Sequence, residues 1–211
     1  MMGAQLDIGD TAFVMETTSR QPFILGIGGT SRRGSATERV LQISLEAARE
    51  EGAETALVAG DDLKLPMYAP GVSDRTPEAA RLVSLFRKCD GVIIASPAYH
   101  GSLSGLLKNA LDYTEDLRGD ERVYFDGCAV GCICCAGGWQ AGGQTLSALR
   151  AIAHALRGWP TPLGAVVNTS LPVFGEDGSL TDGQAVSQLR TVGWQVTHFA
   201  RMARHYREAG R

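Results

Sequence analysis

Three short stretches of the chain concentrate residue types with chemistry to offer. The first is Gly28-Gly-Thr-Ser-Arg-Arg-Gly-Ser-Ala-Thr37. Glycines let a backbone turn tightly, so that several N–H groups converge on one anion. Thr30, Ser31, Ser35 and Thr37 add hydroxyl donors, and Arg32 or Arg33 adds charge. A helix starting here would add the positive end of its dipole. The same residues also suit a plain turn, with an N-cap at Ser35 or Thr37 and solvated arginines. The second stretch is Ser96-Pro-Ala-Tyr-His-Gly-Ser, continuing through Leu103 to Tyr113. Pro97 and Ala98 lead to Tyr99 and His100, and Gly101 lets backbone amides approach a flat ligand closely. An aromatic and an imidazole beside free N–H groups suit a planar, hydrogen-bonding heterocycle, or else an ordinary surface loop. The third, Ala136-Gly-Gly-Trp-Gln-Ala-Gly-Gly143, offers backbone N–H groups at Gly137 and Gly138, or a flexible connector.

Two better-known phosphate motifs do not fit the first stretch. A P-loop needs a lysine, and none occurs between Met1 and Asp61. A dinucleotide fingerprint needs a third glycine where Ser31 follows Gly26-Ile-Gly28-Gly-Thr. Hydroxyls and arginines suit a terminal phosphate monoester better than the internal diester of a pyrophosphate, which points to a mononucleotide. No Ser-His-Asp arrangement is evident. The cysteines at 128, 132, 134 and 135 present either a metal knuckle or a buried strand that uses Cys as a small hydrophobe. The strand is the simpler reading, because no histidine lies nearby and adjacent strand residues point to opposite faces.

Regular elements must position these stretches. Pro22 to Gly28 is a short continuous apolar run, as in a strand buried on both faces. Val40, Leu41, Ser44, Leu45 and Ala48 recur at helical spacing, and Gly52 closes that helix. Glu54–Ala59, Gly91–Ser96, Gly127–Ala136 and Leu163–Val167 read as further strands. Helices are expected from Pro77, over Ser102–Thr114, over Gln144–Leu156 and from Thr181 to about Tyr206. Strand and helix alternate throughout, which predicts an α/β fold: a five-stranded parallel sheet with helices on both faces. Ligands of such sheets bind beyond the carboxyl ends of the strands, where the three stretches fall. The expected organisation is an N-terminal extension over residues 1–20 and one domain over 21–211.

Composition narrows the function. The chain has 211 residues, 44% of them hydrophobic and 20% charged, as in ordinary globular proteins. Its net charge of -3 argues against a general nucleic-acid binder. No apolar run reaches the roughly 20 residues a membrane helix needs. The acidic first twenty residues lack the form of a signal peptide, and five cysteines are an odd number for a disulfide framework. A cytoplasmic protein without membrane or nucleic-acid partners is expected.

Thr30-Ser-Arg32 with Ser35 and Thr37 resembles the phosphate loop of the NAD(P)H-dependent FMN reductase family, whose usual form is Gly-Ser-x-Arg, two residues, then Ser-x-Asn. Pro97-Ala-Tyr-His-Gly-Ser with Leu106-Leu-Lys-Asn-Ala-Leu-Asp112 is similar to the family's flavin-ring loop and the helix behind it. Gly137-Gly138 matches its third flavin loop, and Leu65-Pro-Met-Tyr68 a loop after the second strand. The resemblance runs from about Phe23 to Val167. It implies a flavodoxin-like three-layer sandwich, FMN as cofactor and NADPH or NADH as reductant. By the same resemblance Thr30, Ser31, Arg32, Ser35 and Thr37 hold the phosphate. Pro97, Ala98, Tyr99, His100 and Gly101 line the isoalloxazine edge, and Gly137 and Gly138 meet its pyrimidine side. Thr30 stands for the usual Ser and keeps a hydroxyl; Thr37 stands for the usual Asn and loses an amide. The implied activity is hydride transfer to FMN by a homodimer or homotetramer, with no side-chain general base and no metal, supplying reduced flavin to a partner monooxygenase. Alternatives are a reductase that keeps FMN and reduces a quinone, azo dye or metal ion, a flavodoxin-type carrier, and, disfavoured by Ser31, a dinucleotide-binding dehydrogenase.

Overall fold

A computed structural model describes residues 20–208; the expected N-terminal extension falls almost entirely outside them. The strands are β1 (Phe23–Gly28), β2 (Glu54–Val58), β3 (Gly91–Pro97), β4 (Ala129–Ala136), β5 (Trp159–Pro160) and β6 (Ala165–Asn168). They form one parallel sheet in the order β2-β1-β3-β4-β5, with β6 also paired to β4. β5 and β6 thus share the edge that one fifth strand was expected to occupy, interrupted by Thr161-Pro-Leu-Gly164. Strand order reverses between β1 and β3, the place where open α/β sheets bind ligands.

Five helices cover the sheet: α1 (Ala36–Glu50), α2 (Pro77–Lys88), α3 (Gly105–Asp112), α4 (Trp139–Ala155) and α5 (Gly183–Glu208). The strand period of two sorts the core into two layers. Leu25, Ile27, Val92, Ile94, Val130 and Cys132 pack with α2, α3 and α4. Ile24, Ile93, Ala95, Ile133 and Cys135 pack with α1 and α5. Cys132 and Cys135 have the spacing of a C-x-x-C pair, yet three steps along a strand puts them in different layers.

Local chemistry accounts for the helix starts. Thr76 caps α2 by accepting from Ala79 N–H, with Pro77 in the first turn. Two expectations are corrected. The helix expected from Ser102 begins at Gly105, because Ser102 belongs to a hairpin and Ser104 is the N-cap. The helix expected from Gln144 begins at Trp139, which leaves only Gly137 and Gly138 of the third stretch between β4 and α4. Gly142 sits in that helix because a Cβ there would strike the Val166 side chain on β6. Close approach, rather than flexibility, is what this glycine supplies.

Candidate functional site

The loop from β1 to α1 is built around Ser35. As N-cap it accepts from Glu38 N–H at 3.3 Å, and it also accepts from Thr30 Oγ1 at 2.7 Å. The Glu38 carboxylate reaches back to Gly34 N–H at 2.9 Å, a near relative of the capping box. Gly34 has φ of 65°, a left-handed conformation that favours glycine. The loop is also tied from outside. Gly29 N–H donates to Ala95 O at 2.7 Å, Ser104 Oγ donates to Gly29 O at 2.6 Å, and Gly60 N–H donates to Thr30 O at 3.2 Å.

These ties leave a set of donors over. Among the described residues, the N–H groups from Thr30 to Arg33 and from Ser35 to Thr37 have no protein acceptor. The two arginines divide. Arg33 pairs with Asp62 at 3.2 Å, whereas Arg32 is exposed and has no ion-pair partner among the described residues.

The second loop is a tight hairpin. Tyr99 and Ser102 exchange two backbone hydrogen bonds of 2.9 and 3.1 Å. Between them His100 (φ 52°) and Gly101 (φ 80°) are both left-handed, the signature of a type I′ turn. Ala98 N–H donates to Cys135 O at 2.8 Å, extending the β3–β4 ladder one step past Pro97. A Cβ on Gly101 would meet the Gln144 side chain, so the hairpin rests on α4. Gly137 and Gly138 lie across from it. Gly138 is the N-cap of α4 without any side-chain cap, and space beside both glycines is open.

One cleft of about 490 Å³ unites the first two loops. It is lined by Gly29, Thr30, Ser31, Arg32 and Ser35 from the first, Tyr99 from the second, and Ser104, Gly105 and Leu106 at the start of α3. Thr30, Ser31, Arg32, Ser35 and Tyr99 are therefore brought together. Thr37 is not: its side chain is buried against the Cys135 thiol, which burial pushes up to about 12 despite the hydroxyl beside it. Pro97 is buried in β3, and Ala98, His100, Gly101, Gly137 and Gly138 flank the cleft without lining it.

Sequence reasoning passed over Ser104, although Ser-Gly ahead of an apolar run is an N-cap signal. Ser104 is buried and holds three elements. Its N–H donates to Ser96 Oγ at 3.0 Å, its hydroxyl donates to Gly29 O, and that hydroxyl accepts from Leu107 N–H at 3.2 Å. Asn109 is a second such residue. It accepts from Tyr68 N–H at 2.8 Å and donates to Pro66 O at 2.9 Å, pinning the Leu65–Tyr68 loop to α3. Arg75 stacks over Tyr68 and Tyr113 and makes a bidentate pair with Asp116, which raises its affinity for its proton.

The family model described as NADPH-dependent FMN reductase matches residues 22–170. An NADPH azoreductase of Bacillus sp. (strain OY1-2) is 32% identical over 126 residues, which is 59% of this chain and 65% of that protein. An FMN-dependent NADPH-azoreductase of Staphylococcus aureus is 40% identical over 101 residues, 48% of this chain and 50% of the relative. The chain thus spans between half and about two thirds of the length of these curated relatives. Among solved structures, the flavoenzyme NAD(P)H:(acceptor) oxidoreductase FerB from Paracoccus denitrificans superposes with a TM-score of 0.71 at 18% identity, covering 86% of this chain and 98% of that one. A flavodoxin, WrbA-like protein from Agrobacterium tumefaciens superposes with a TM-score of 0.60, at 15% identity and over 88% and 99% of the two chains. At these identities the superpositions speak for the flavodoxin-like fold alone. The family match spans every strand of the sheet and the whole of the cleft, and the chain belongs to the NADPH-dependent FMN reductase family.

Proposed function

We propose that this chain is an NAD(P)H-dependent oxidoreductase that holds FMN at the carboxyl ends of β1, β3 and β4, within one domain over residues 21–211. The observation that carries the reading is the set of N–H groups from Thr30 to Arg33 and from Ser35 to Thr37 without a protein acceptor among the described residues, at a helix N-terminus and beside Arg32, in one cleft with Tyr99. That donor set fits a phosphate dianion. Thr30, Ser31 and Ser35 would add hydroxyls, while Thr37 would contribute only its N–H. The hairpin from Pro97 to Gly101 would run along the isoalloxazine edge, with Tyr99 against the ring. The N–H groups of Gly137 and Gly138, at the uncapped α4 terminus, would face its pyrimidine side.

Bound FMN would accept hydride from the nicotinamide and pass electrons on. The chain's share is to bind, orient and exclude water. Donors at Gly137 and Gly138 would favour negative charge on the pyrimidine side, with no side chain called on to transfer a proton. The azoreductase names of the relatives favour a reading in which FMN stays bound and an azo acceptor takes the electrons, over release of reduced FMN to a monooxygenase. A homodimer or homotetramer in the cytoplasm is the proposed setting. No helix of the described residues is long and apolar enough to cross a membrane.

Titration of the purified protein with FMN, riboflavin and FAD, followed by flavin fluorescence, tests the phosphate assignment. FMN is expected to bind far more tightly than riboflavin; equal affinities would exclude the assignment. Free reduced flavin during steady-state turnover would reverse the choice between retained and released FMN. Light scattering of the eluted protein reads the oligomer.

A further inference from the structure

Two of the five cysteines lie at the opposite end of the sheet from the cleft. Cys89 is the C-cap of α2, two residues before β3, and Cys128 directly precedes β4. These strands are parallel neighbours with Gly91 opposite Ala129, so the two cysteines are one step apart in register. Adjacent strands run about 4.8 Å apart, compatible with the Cα separation of about 4.4–6.8 Å that a disulfide spans. The Cys89 thiol donates to Phe86 O at 3.2 Å. Cys128 Sγ also lies 3.6 Å from Cys89 O.

Arg122 covers the pair. Its Nη1 donates to Cys128 Sγ at 2.8 Å and to Cys89 O at 2.5 Å; its Nη2 donates to Phe86 O at 2.6 Å and Arg87 O at 2.8 Å. Three acceptors are carbonyls at the carboxyl end of α2, where the helix dipole holds a cation. The fourth is sulfur. The guanidinium is therefore anchored in place to stabilise a thiolate. The neighbouring Cys89 thiol and the charge of Arg122 bring the Cys128 thiol below its ordinary range against the effect of burial, while Cys89 is pushed up by its neighbour Cys128 and by burial. The other cysteines differ: burial in β4 pushes Cys132 and Cys135 up to about 12 and Cys134 to about 11.

A groove of about 1030 Å³ beside α5 ends on Cys89 and Arg122, its wall mixing the cations of Arg87, Lys88 and Arg207 with the carboxylates of Asp90, Glu121 and Asp126. The sulfurs are otherwise enclosed, Cys89 being 1% exposed and Cys128 0%. Access is thus limited to an oxidant of very few atoms that enters beside the guanidinium.

We propose that Cys89 and Cys128 form a redox-active dithiol, converted by hydrogen peroxide into an intramolecular disulfide. The Cys128 thiolate attacks one peroxide oxygen, the O–O bond breaks, and the leaving hydroxide takes the Cys89 proton to become water. Cys128 is then a sulfenic acid. The Cys89 thiolate attacks its sulfur, the S–O bond breaks, and hydroxide leaves. Two electrons pass from the sulfur pair to the peroxide. Arg122 stabilises first the thiolate and then the departing oxygen. The site is independent of the flavin reading, since none of its residues lines the cleft.

The folded full chain is treated with hydrogen peroxide, then denatured, alkylated, digested with trypsin and analysed by fragment-ion mass spectrometry. The expected product is a cross-link between the peptide beginning at Cys89 and the Cys128 position of the peptide beginning at Val123, reversed by dithiothreitol. Loss of these two thiols is expected roughly tenfold ahead of Cys132, Cys134 and Cys135. A bulky aromatic disulfide reagent is expected to leave the pair untouched in the folded protein. Cys89→Ser removes the resolving thiol, so dimedone is expected to trap a sulfenic acid at Cys128. Arg122→Gln is expected to slow disulfide formation. Five intact thiols after peroxide, oxidation of the β4 cysteines first, or no dimedone adduct in Cys89→Ser would overturn the proposal.

Discussion

At the scale of single residues the two adjacent arginines show what a side chain's surroundings decide. Arg33 pairs with Asp62, and Arg32 lines the cleft with no ion-pair partner among the described residues. Arg32→Ala is expected to weaken FMN binding by about 1.5 kcal/mol, the lower end for a charged hydrogen bond because the guanidinium is exposed. Riboflavin binding, which lacks the phosphate, is expected to stay unchanged in the same fluorescence titration. Arg33→Ala removes a surface ion pair and is expected to shift stability by less than about 1 kcal/mol, measured by urea unfolding. The residue types of the first loop were readable in advance, including the two possible helix caps. That Ser35 caps and Thr37, already inside α1, turns inward to Cys135 was not readable, since either hydroxyl could head the helix and only the packing of α1 on β4 separates them.

Elements decide whether the loops meet. Ser104 joins three of them, the end of β3, the first loop and the first turn of α3. Losing an N-cap hydroxyl costs about 1 kcal/mol of stability. Ser104→Ala is expected to lose that and also to loosen the Gly29 carbonyl, so FMN affinity should fall while riboflavin affinity falls less. Ser104→Thr keeps the hydroxyl and should restore FMN binding. Equal losses for both flavins would mean that Ser104 acts on stability alone. Most elements were legible from apolar spacing, because β1, β3 and β4 are buried on both faces and read as continuous apolar runs. Their ends were less so. α4 starts at Trp139 although Gly142 and Gly143 read as loop, since sequence alone does not tell a glycine used for close packing from one used for a turn.

At the scale of the whole molecule, two helices wedge against one face of the sheet and three against the other. Gly193 is where α5 meets α1: a Cβ there would collide with the Ser44 carbonyl, which is backbone and has no rotamer to yield. Gly193→Ala is expected to cost about 1–3 kcal/mol through overpacking, seen as a lower denaturation midpoint. The buried thiols set the alkaline limit. Cys132 and Cys135 titrate near 12 when folded against 9.0 for an ordinary thiol, because burial disfavours the thiolate. The stability they contribute is complete below 9.0 and is lost as pH rises towards 12, since the unfolded chain releases those protons first. Thermal melts across that range should show a falling midpoint, and Cys135→Val should make the fall shallower. By itself the sequence determined the alternation of strands and helices, the parallel sheet and the three loops at its carboxyl edge, because periodicity and turn chemistry are local properties. Only the tertiary structure decided which donors remain free, which arginine is uncommitted and which serine ties the loops together. It alone also brought Cys89 and Cys128, thirty-nine residues apart, under one guanidinium. Each of those depends on groups distant in the chain meeting across the packed sheet.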